Sequence, residues 1–130
     1  MKKNILFIAL FFISFNAVCQ IKQDSTCSGA SSKIEYYKCL SKQYINRDNQ
    51  LNKVYKSVLD MLVNKKLLNS INALKESQRS WIVFRDKYRK VYEHLYTGGT
   101  MMPISVLECE IKTTNYRIEE LNELYNDLNR

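Results

Sequence analysis

The chain has 130 residues, 45% of them hydrophobic, a length that suits one domain with one core. Lysine and arginine total 20 against 13 acidic residues, which gives a net charge of +7 at pH 7. This charge is spread along the chain, whereas nucleic-acid binding favours clustered basic residues with stacking aromatic rings. We therefore expect no nucleic-acid partner, and a mildly basic surface that suits anionic envelope polymers.

Residues 1–19 have the composition of a secretory signal peptide. Two lysines precede an apolar run over residues 5–15, which is too short for a comfortable membrane span. The segment ends on Ala17-Val18-Cys19, so we predict cleavage there and an exported mature domain of residues 20–130, periplasmic or extracellular. A retained membrane anchor is one alternative. Lipid attachment to Cys19 is another, although bacterial lipoprotein signals usually place a smaller residue than valine before the modified cysteine.

The first predicted helix begins at Ser32, because Ser-Lys-Ile-Glu is a capping box that is completed by Glu35. A stripe of residues at spacings of three and four then continues to Asn64-Lys65, as on one face of a helix. The stripe consists of Tyr37, Leu40, Tyr44, Asp48, Leu51, Tyr55, Val58 and Leu62.

The second helix is predicted to begin near Asn69 or Ser70 and to end before Gly98-Gly99, because paired glycines end helices. Its stripe is Ile71, Leu74, Gln78, Trp81, Arg85, Tyr88, Tyr92 and Leu95. The third helix begins at Pro103, which suits a first-turn position. Its stripe is Ile104, Leu107, Ile111, Thr114, Ile118, Leu121, Tyr125 and Leu128. The prediction is an all-α domain of three long helices in an antiparallel bundle, with the second helix packed on the other two.

Three cysteines remain after the predicted cleavage, and export favours disulfides. Cys27 and Cys39 are close in sequence and flank the turn at Ser28-Gly29, so this pair is the easiest to close. Cys109 is then the unpaired thiol, which we expect to be a small buried hydrophobic residue.

Polar residues interrupt the stripes of the first two helices. Antiparallel packing is expected to bring Asp48 and Arg85 together, with Gln78 alongside and Trp81 next on the same stripe. A buried charge must be paired, so we interpret these residues as a structural polar core that fixes helix register. A ligand site is the alternative, but an arginine with one carboxylate and one amide lacks a base and a nucleophile.

Residues with catalytic or metal-binding potential are scarce. The single histidine, His94, has no cysteine or carboxylate at a helical spacing that completes a zinc site. We therefore expect no enzymatic activity, no metal and no cofactor. The chain has nine tyrosines, a residue that is common at protein interfaces. Helical spacing nevertheless assigns most of these tyrosines to the core. The tyrosines assigned to the core are Tyr37, Tyr44, Tyr55, Tyr88 and Tyr125.

Several motifs in order along the chain carry a family resemblance. They are Asp48-Asn49-Gln50-Leu51-Asn52-Lys53-Val54-Tyr55, then Gln78-Arg79-Ser80-Trp81-Ile82-Val83-Phe84-Arg85-Asp86, then Gly98-Gly99-Thr100, Cys109 and Thr114-Asn115-Tyr116-Arg117. In these motifs the chain resembles the lysozyme-inhibitor LprI-like N-terminal domain family. The resemblance implies a Cys27–Cys39 disulfide. It also implies a second disulfide from Cys109 to a cysteine after the Arg-Asp pair, which this chain lacks.

The resemblance implies an exported, non-enzymatic binding protein whose partner is a lysozyme-type muramidase or another envelope protein. Because lysozymes are often basic, like this chain, an acidic face is needed to bind one. The candidate acidic face is Glu119, Glu120, Glu123 and Asp127, and the candidate contact loop is Thr97, Gly98, Gly99, Thr100, Met101 and Met102. The methionines of that loop either contact a partner or close the end of the core. The alternative function is an envelope interaction or stress module that binds an anionic polymer or another envelope protein.

Overall fold

A computed structural model of the chain describes residues 27–130 and contains three α-helices. They are α1 (Lys33–Asn64), α2 (Leu68–Leu95) and α3 (Met102–Leu128). The described part of the chain contains no strand, so the predicted all-α class is confirmed. The predicted signal peptide, including Cys19, lies outside the described residues. None of the helices in residues 27–130 is long and apolar enough to cross a membrane.

The start of α1 follows the predicted capping pattern with one difference. The Ser32 hydroxyl accepts a hydrogen bond from the Glu35 backbone N–H at 3.2 Å, which satisfies a free donor of the first turn. The Glu35 carboxylate accepts from the backbone N–H and the hydroxyl of Ser31 rather than from Ser32. These hydrogen bonds stabilise the ionised carboxylate, so they lower the pKa of Glu35.

The turn from α1 to α2 is closed by a pair of backbone hydrogen bonds. The Leu67 N–H donates to the Leu62 carbonyl at 3.0 Å, and the Lys66 N–H donates to the Val63 carbonyl at 2.9 Å. This is a Schellman ending, in which the residue after the helix cap takes a left-handed conformation. Lys66 occupies that position with φ 58°, although glycine is the residue that adopts it most easily.

The turn from α2 to α3 uses the predicted glycine pair. Gly98 has φ 77°, the left-handed conformation required at the third position of a turn that the Gly99 N–H closes on the Tyr96 carbonyl at 2.9 Å. The third helix begins at Met102, one residue before the predicted start, with Pro103 in its first turn. A proline is well tolerated there because the first-turn N–H groups have no partner within the helix.

The core lies chiefly between α1 and α3, not on the two faces of α2 as predicted. Contacts at one end join Tyr36 of α1 to Glu108 of α3, and Val58 near the other end of α1 clusters with Leu121 of α3. The two helices therefore run parallel, and α2 runs antiparallel to both. Only the first half of α2 adds fully buried apolar side chains, from Ile71 and Leu74.

A second, smaller apolar cluster contains the disulfide. Cys27 is bonded to Cys39, as predicted, and packs with Leu40 and Ile104. This bond attaches the segment before α1 to the second turn of the helix. Cys109 is free and buried, in agreement with the expectation from the sequence.

Candidate binding site

Arg85 of α2 contacts α1 through the acidic residue expected from the sequence. Its Nη1 donates to Oδ1 of Asp48 at 3.2 Å, and its guanidinium lies 5.1 Å from the ring centroid of Trp81. The Arg85 side chain is 14% exposed, whereas the Asp48 side chain is 40% exposed. The structure therefore brings three members of the predicted polar core together, at the edge of the bundle and not in its interior.

Gln78 does not join this group, contrary to the expectation. Its Oε1 accepts a hydrogen bond from Nε of Arg117 on α3 at 3.0 Å. Arg117 also donates from Nη2 to the Ser77 hydroxyl at 2.8 Å and from Nη1 to Glu120 Oε2 at 3.0 Å. Gln78 thus lies on the side of α2 that faces α3, whereas Arg85 reaches α1.

Glu110 of α3 lies close to two arginines of α2. The Nε atom of Arg89 is 3.8 Å from its Oε1 atom, and Arg85 is near enough to act on it electrostatically. Burial disfavours the ionised carboxylate more than these arginines favour it, so the pKa of Glu110 is raised. Glu110, Arg89 and Arg117 lie off the apolar stripes, so helical spacing does not mark them, although Arg117 ends the Thr-Asn-Tyr-Arg motif of the family resemblance.

An open groove lies between the second half of α2 and the middle of α3. Its volume is about 360 Å³. The residues from α2 are Trp81, Phe84, Tyr88 and Tyr92, and those from α3 are Cys109, Lys112, Thr113, Tyr116, Arg117 and Glu120. Half of this lining is aromatic, which is a composition typical of protein interfaces.

The aromatic rings of α2 form a row along one edge of the groove. The ring centroids of Phe84 and Tyr88 are 5.5 Å apart, and those of Tyr88 and Tyr92 are 5.6 Å apart. Phe84 is 52% exposed and Leu95, further along the helix, is 68% exposed. Such a continuous exposed apolar surface is unusual on a protein that acts alone, so this surface is a candidate contact site.

This row corrects two expectations. Tyr88 is 40% exposed and Tyr37 is 43% exposed, so neither belongs to the core as predicted from spacing. Helical spacing also assigns the whole stripe of α2 to contacts with α1 and α3, which leaves only the loop after α2 as a free apolar surface. Past Trp81, the long arginine side chains at positions 85 and 89 make the contacts across the bundle instead.

The predicted acidic face lies beside the groove on the exposed surface of α3. Glu120 lines the groove and is paired with Arg117, while Asp127 is paired with Arg130 at 3.2 Å. Glu119 and Glu123 are exposed and make no ion pair within residues 27–130. Two carboxylates without an ion-pair partner in the described part of the chain therefore lie next to the aromatic groove.

The predicted contact loop lies at the other end of α3. Met102 begins that helix, and Glu119 lies about 25 Å further along its axis at about 1.5 Å per residue. Met101 is exposed and Met102 is half-buried, while the Thr100 hydroxyl accepts a hydrogen bond from Lys33 Nζ at 3.3 Å. The structure thus places the acidic face beside one end of the groove and far from the loop, residues 97–102, while the other end of the groove, at Tyr92 and Cys109, lies toward that loop.

The chemistry of the groove is that of a contact surface. Cys109 lies at its floor, and burial raises the pKa of this thiol, which keeps it protonated and unreactive. Residues 27–130 contain no cluster of three or more histidine, cysteine or acidic side chains that is arranged to hold a metal ion. The arrangement offers aromatic anchors with neighbouring negative charge.

Two comparisons with known proteins identify similar sequences. A family model described as Lysozyme inhibitor LprI matches residues 24–121, a range that includes every lining residue of the groove. The chain is 30% identical over 107 residues to an uncharacterized protein of Rhizobium meliloti (strain 1021), covering 75% of this chain and 77% of that protein. No solved structure matches the chain. The family and the Cys27–Cys39 disulfide fit an exported protein. The chain belongs to the lysozyme inhibitor LprI family.

Proposed function

We propose that this protein is an exported, non-enzymatic inhibitor that binds a basic, lysozyme-type muramidase through the surface formed by α2 and α3. The observation that carries the proposal is the aromatic groove with Glu119 and Glu123 beside it, both exposed and without an ion pair among residues 27–130. Aromatic side chains supply most of the binding energy in many interfaces. Complementary charge sets the rate of association and the choice of partner.

The overall positive charge of the chain does not oppose this proposal. Charges in physiological salt are screened over about 8 Å, so a partner that approaches one surface experiences chiefly the charges of that surface. The groove and the surface beside it carry three carboxylates, Glu119, Glu120 and Glu123, against the two cations Lys112 and Arg117, which leaves a local charge of −1. A basic muramidase is therefore attracted locally although both proteins carry a net positive charge.

Inhibition is expected to follow from steric occlusion. The groove and its rings present a broad, rigid surface on two packed helices. When this surface covers part of the substrate cleft of a muramidase, glycan can no longer enter the cleft. No residue of this chain takes part in chemistry in such a mechanism. The loop of residues 97–102, at the other end of α3, is a separate candidate contact that the same experiment tests.

The direct test is a muramidase assay with the purified mature domain, residues 20–130. We expect inhibition of a basic muramidase at micromolar or lower concentration. Glu123→Lys is expected to weaken inhibition about tenfold, since each 1.4 kcal/mol of binding free energy changes the affinity tenfold. Asp60→Lys is the matched control, because it makes the same charge change on the exposed surface of α1; we expect less than a twofold effect.

The same assay separates the groove from the loop. Met101→Ser combined with Met102→Ser is expected to leave inhibition per folded molecule unchanged, whereas a loss of inhibition in that variant assigns the contact to the loop. Failure of the wild-type domain to inhibit any muramidase in a panel of basic and acidic enzymes refutes the proposed function. Binding of the domain to cell-wall polymer in place of muramidase supports the alternative envelope module.

A further inference from the structure

The groove between α2 and α3 is elongated. From Trp81 to Tyr92 the axis of α2 advances about 16 Å, or roughly three helical turns. The volume of about 360 Å³ is room for a few side chains of a partner but not for a folded domain. The shape therefore suits a single segment that lies along the two helices and directs one row of side chains inward.

The charges at the two ends of the groove differ. Glu120 is paired with Arg117, which also binds Ser77, so the acidic end of the groove lies next to the first half of α2. Lys112 lines the groove closer to Cys109, and Cys109 is near Tyr92. Arg117 neutralises Glu120 at the first end, where the negative charge comes from Glu119 and Glu123 just outside the lining. The other end carries a lysine, and aromatic rings lie between the two ends.

We propose that this groove receives one amphipathic, cationic helix of the partner protein, an inference that rests on the proposed function because it names the element bound at the same surface. Apolar side chains of that helix, one turn apart, pack on Trp81, Phe84 and Tyr116. Its basic side chains, together with the positive N-terminal end of its dipole, lie at Glu119 and Glu123. Its C-terminal carbonyls face the end of the groove that carries Lys112. A helix seated between two helices extends the bundle by ordinary ridge-and-groove packing.

Two other occupants fit the surface less well. A second copy of this chain supplies a single groove lysine, Lys112, to face Glu119 and Glu123, where a basic helix supplies several cationic side chains. A saccharide matches individual rings, but the apolar surface continues along α2 through Val91 and Leu95, where a hydroxyl-rich ligand gains nothing. Partner helices commonly cover such apolar surfaces.

Trp81, the only tryptophan in the chain, reports directly on the groove. The probes are two synthetic helical peptides without tryptophan, both with leucines at i, i+3, i+4 and i+7. One carries arginines and lysines in its first two turns, and the other carries glutamates there. We expect the cationic peptide to shift the emission of Trp81 saturably and to bind at least tenfold more tightly than the acidic peptide. Glu119→Lys is expected to remove that preference.

Two variants at neighbouring positions of α2 test whether the peptide binds in the groove. Phe84 lines the groove and Val83 does not, although both are 52% exposed on α2. Phe84→Ser is expected to weaken peptide binding at least tenfold, and Val83→Ser less than twofold, with circular dichroism showing both variants folded. Three outcomes overturn the inference. They are equal effects of the two substitutions, tighter binding of the acidic peptide, and a saturable response to a chito-oligosaccharide in place of the peptide. Peptide binding without muramidase inhibition refutes only the proposed function, and inhibition without peptide binding refutes only this inference.

Discussion

Arg85 shows how a charged residue is accommodated in the apolar stripe of a helix. Its aliphatic stem is covered by the bundle, its guanidinium stacks on Trp81, and one nitrogen donates to Asp48. Because Asp48 is 40% exposed, water shares the stabilisation of that carboxylate. The pair is therefore worth less than a fully buried pair and more than a surface pair.

Arg85→Ala is expected to lower the free energy of unfolding by about 1–3 kcal/mol, between the values typical of exposed and buried ion pairs. The loss combines the ion pair, the stacking on Trp81 and the packing of the arginine stem. Urea denaturation measures it, with Arg79→Ala as the control, an exposed arginine on the same helix whose removal should change stability by less than about 0.5 kcal/mol. If both variants unfold at the wild-type urea concentration, the pair contributes nothing.

The ion pair was predictable from the sequence, because Asp48 and Arg85 both interrupt an apolar stripe and have opposite charge. The partner of Gln78 was not. Helical spacing shows that Gln78 faces the bundle, but it does not show which of two neighbouring helices the amide meets. Arg117, which binds it, lies off the stripe of α3, and no periodic pattern marks such a residue.

The ends of the helices were the most predictable features at the level of elements. Ser32 and the glycine pair act through local backbone geometry, which the sequence specifies without knowledge of packing. The exception is the end of α1, where a lysine takes a position that usually requires glycine. Lys66 is left-handed at φ 58°, while its neighbour Lys65 is right-handed at φ −81°.

Lys66→Gly is expected to raise the free energy of unfolding by about 1 kcal/mol, because the left-handed conformation is strained for a residue with a Cβ and not for glycine. Lys65→Gly makes the same change of charge one residue earlier and is expected to lower stability by about 0.5–1 kcal/mol, because glycine loses more backbone entropy there. Thermal and urea unfolding of the two variants compares them directly. Destabilisation by Lys66→Gly as large as that by Lys65→Gly contradicts the left-handed assignment.

The exposed second half of α2 was beyond prediction from the pattern. An apolar stripe shows which face of a helix turns inward, but not whether a neighbour extends along its whole length. Here α1 and α3 pack on each other, and α2 completes the core only with its first half. Tyr88 therefore remains at the surface, although its spacing matches that of buried residues.

At the scale of the whole molecule, all three helices meet near Glu110. Arg89 and Arg85 approach the carboxylate from α2, and Tyr44 lies close to it on α1. Burial is the largest influence on both titrating groups, and it raises the pKa of Glu110 and of Tyr44. The bundle thus holds an acidic side chain at a junction where its ionised form is less stable than in the unfolded chain.

The raised pKa of Glu110 predicts the sign of a pH effect on stability. Between the ordinary value of 4.5 and the higher folded value, the folded state binds more protons than the unfolded state, so stability falls as the pH rises through that range. Below 4.5 the carboxyl is protonated in both states and this loss is absent. Glu110→Gln cannot ionise, so the variant should escape the loss.

The free energy of unfolding of wild type and Glu110→Gln at pH 4 and at pH 7 tests this sign. The difference, variant minus wild type, is expected to be more positive at pH 7, because only the wild type then holds a buried carboxylate. Other titrating groups, Glu35 included, are common to both proteins and cancel in the difference. Glu119→Gln is the control, an exposed glutamate on the same helix that should change stability by less than about 0.5 kcal/mol at either pH. A difference more positive at pH 4 than at pH 7 shows that Arg89 and Arg85 stabilise the Glu110 carboxylate by more than burial destabilises it.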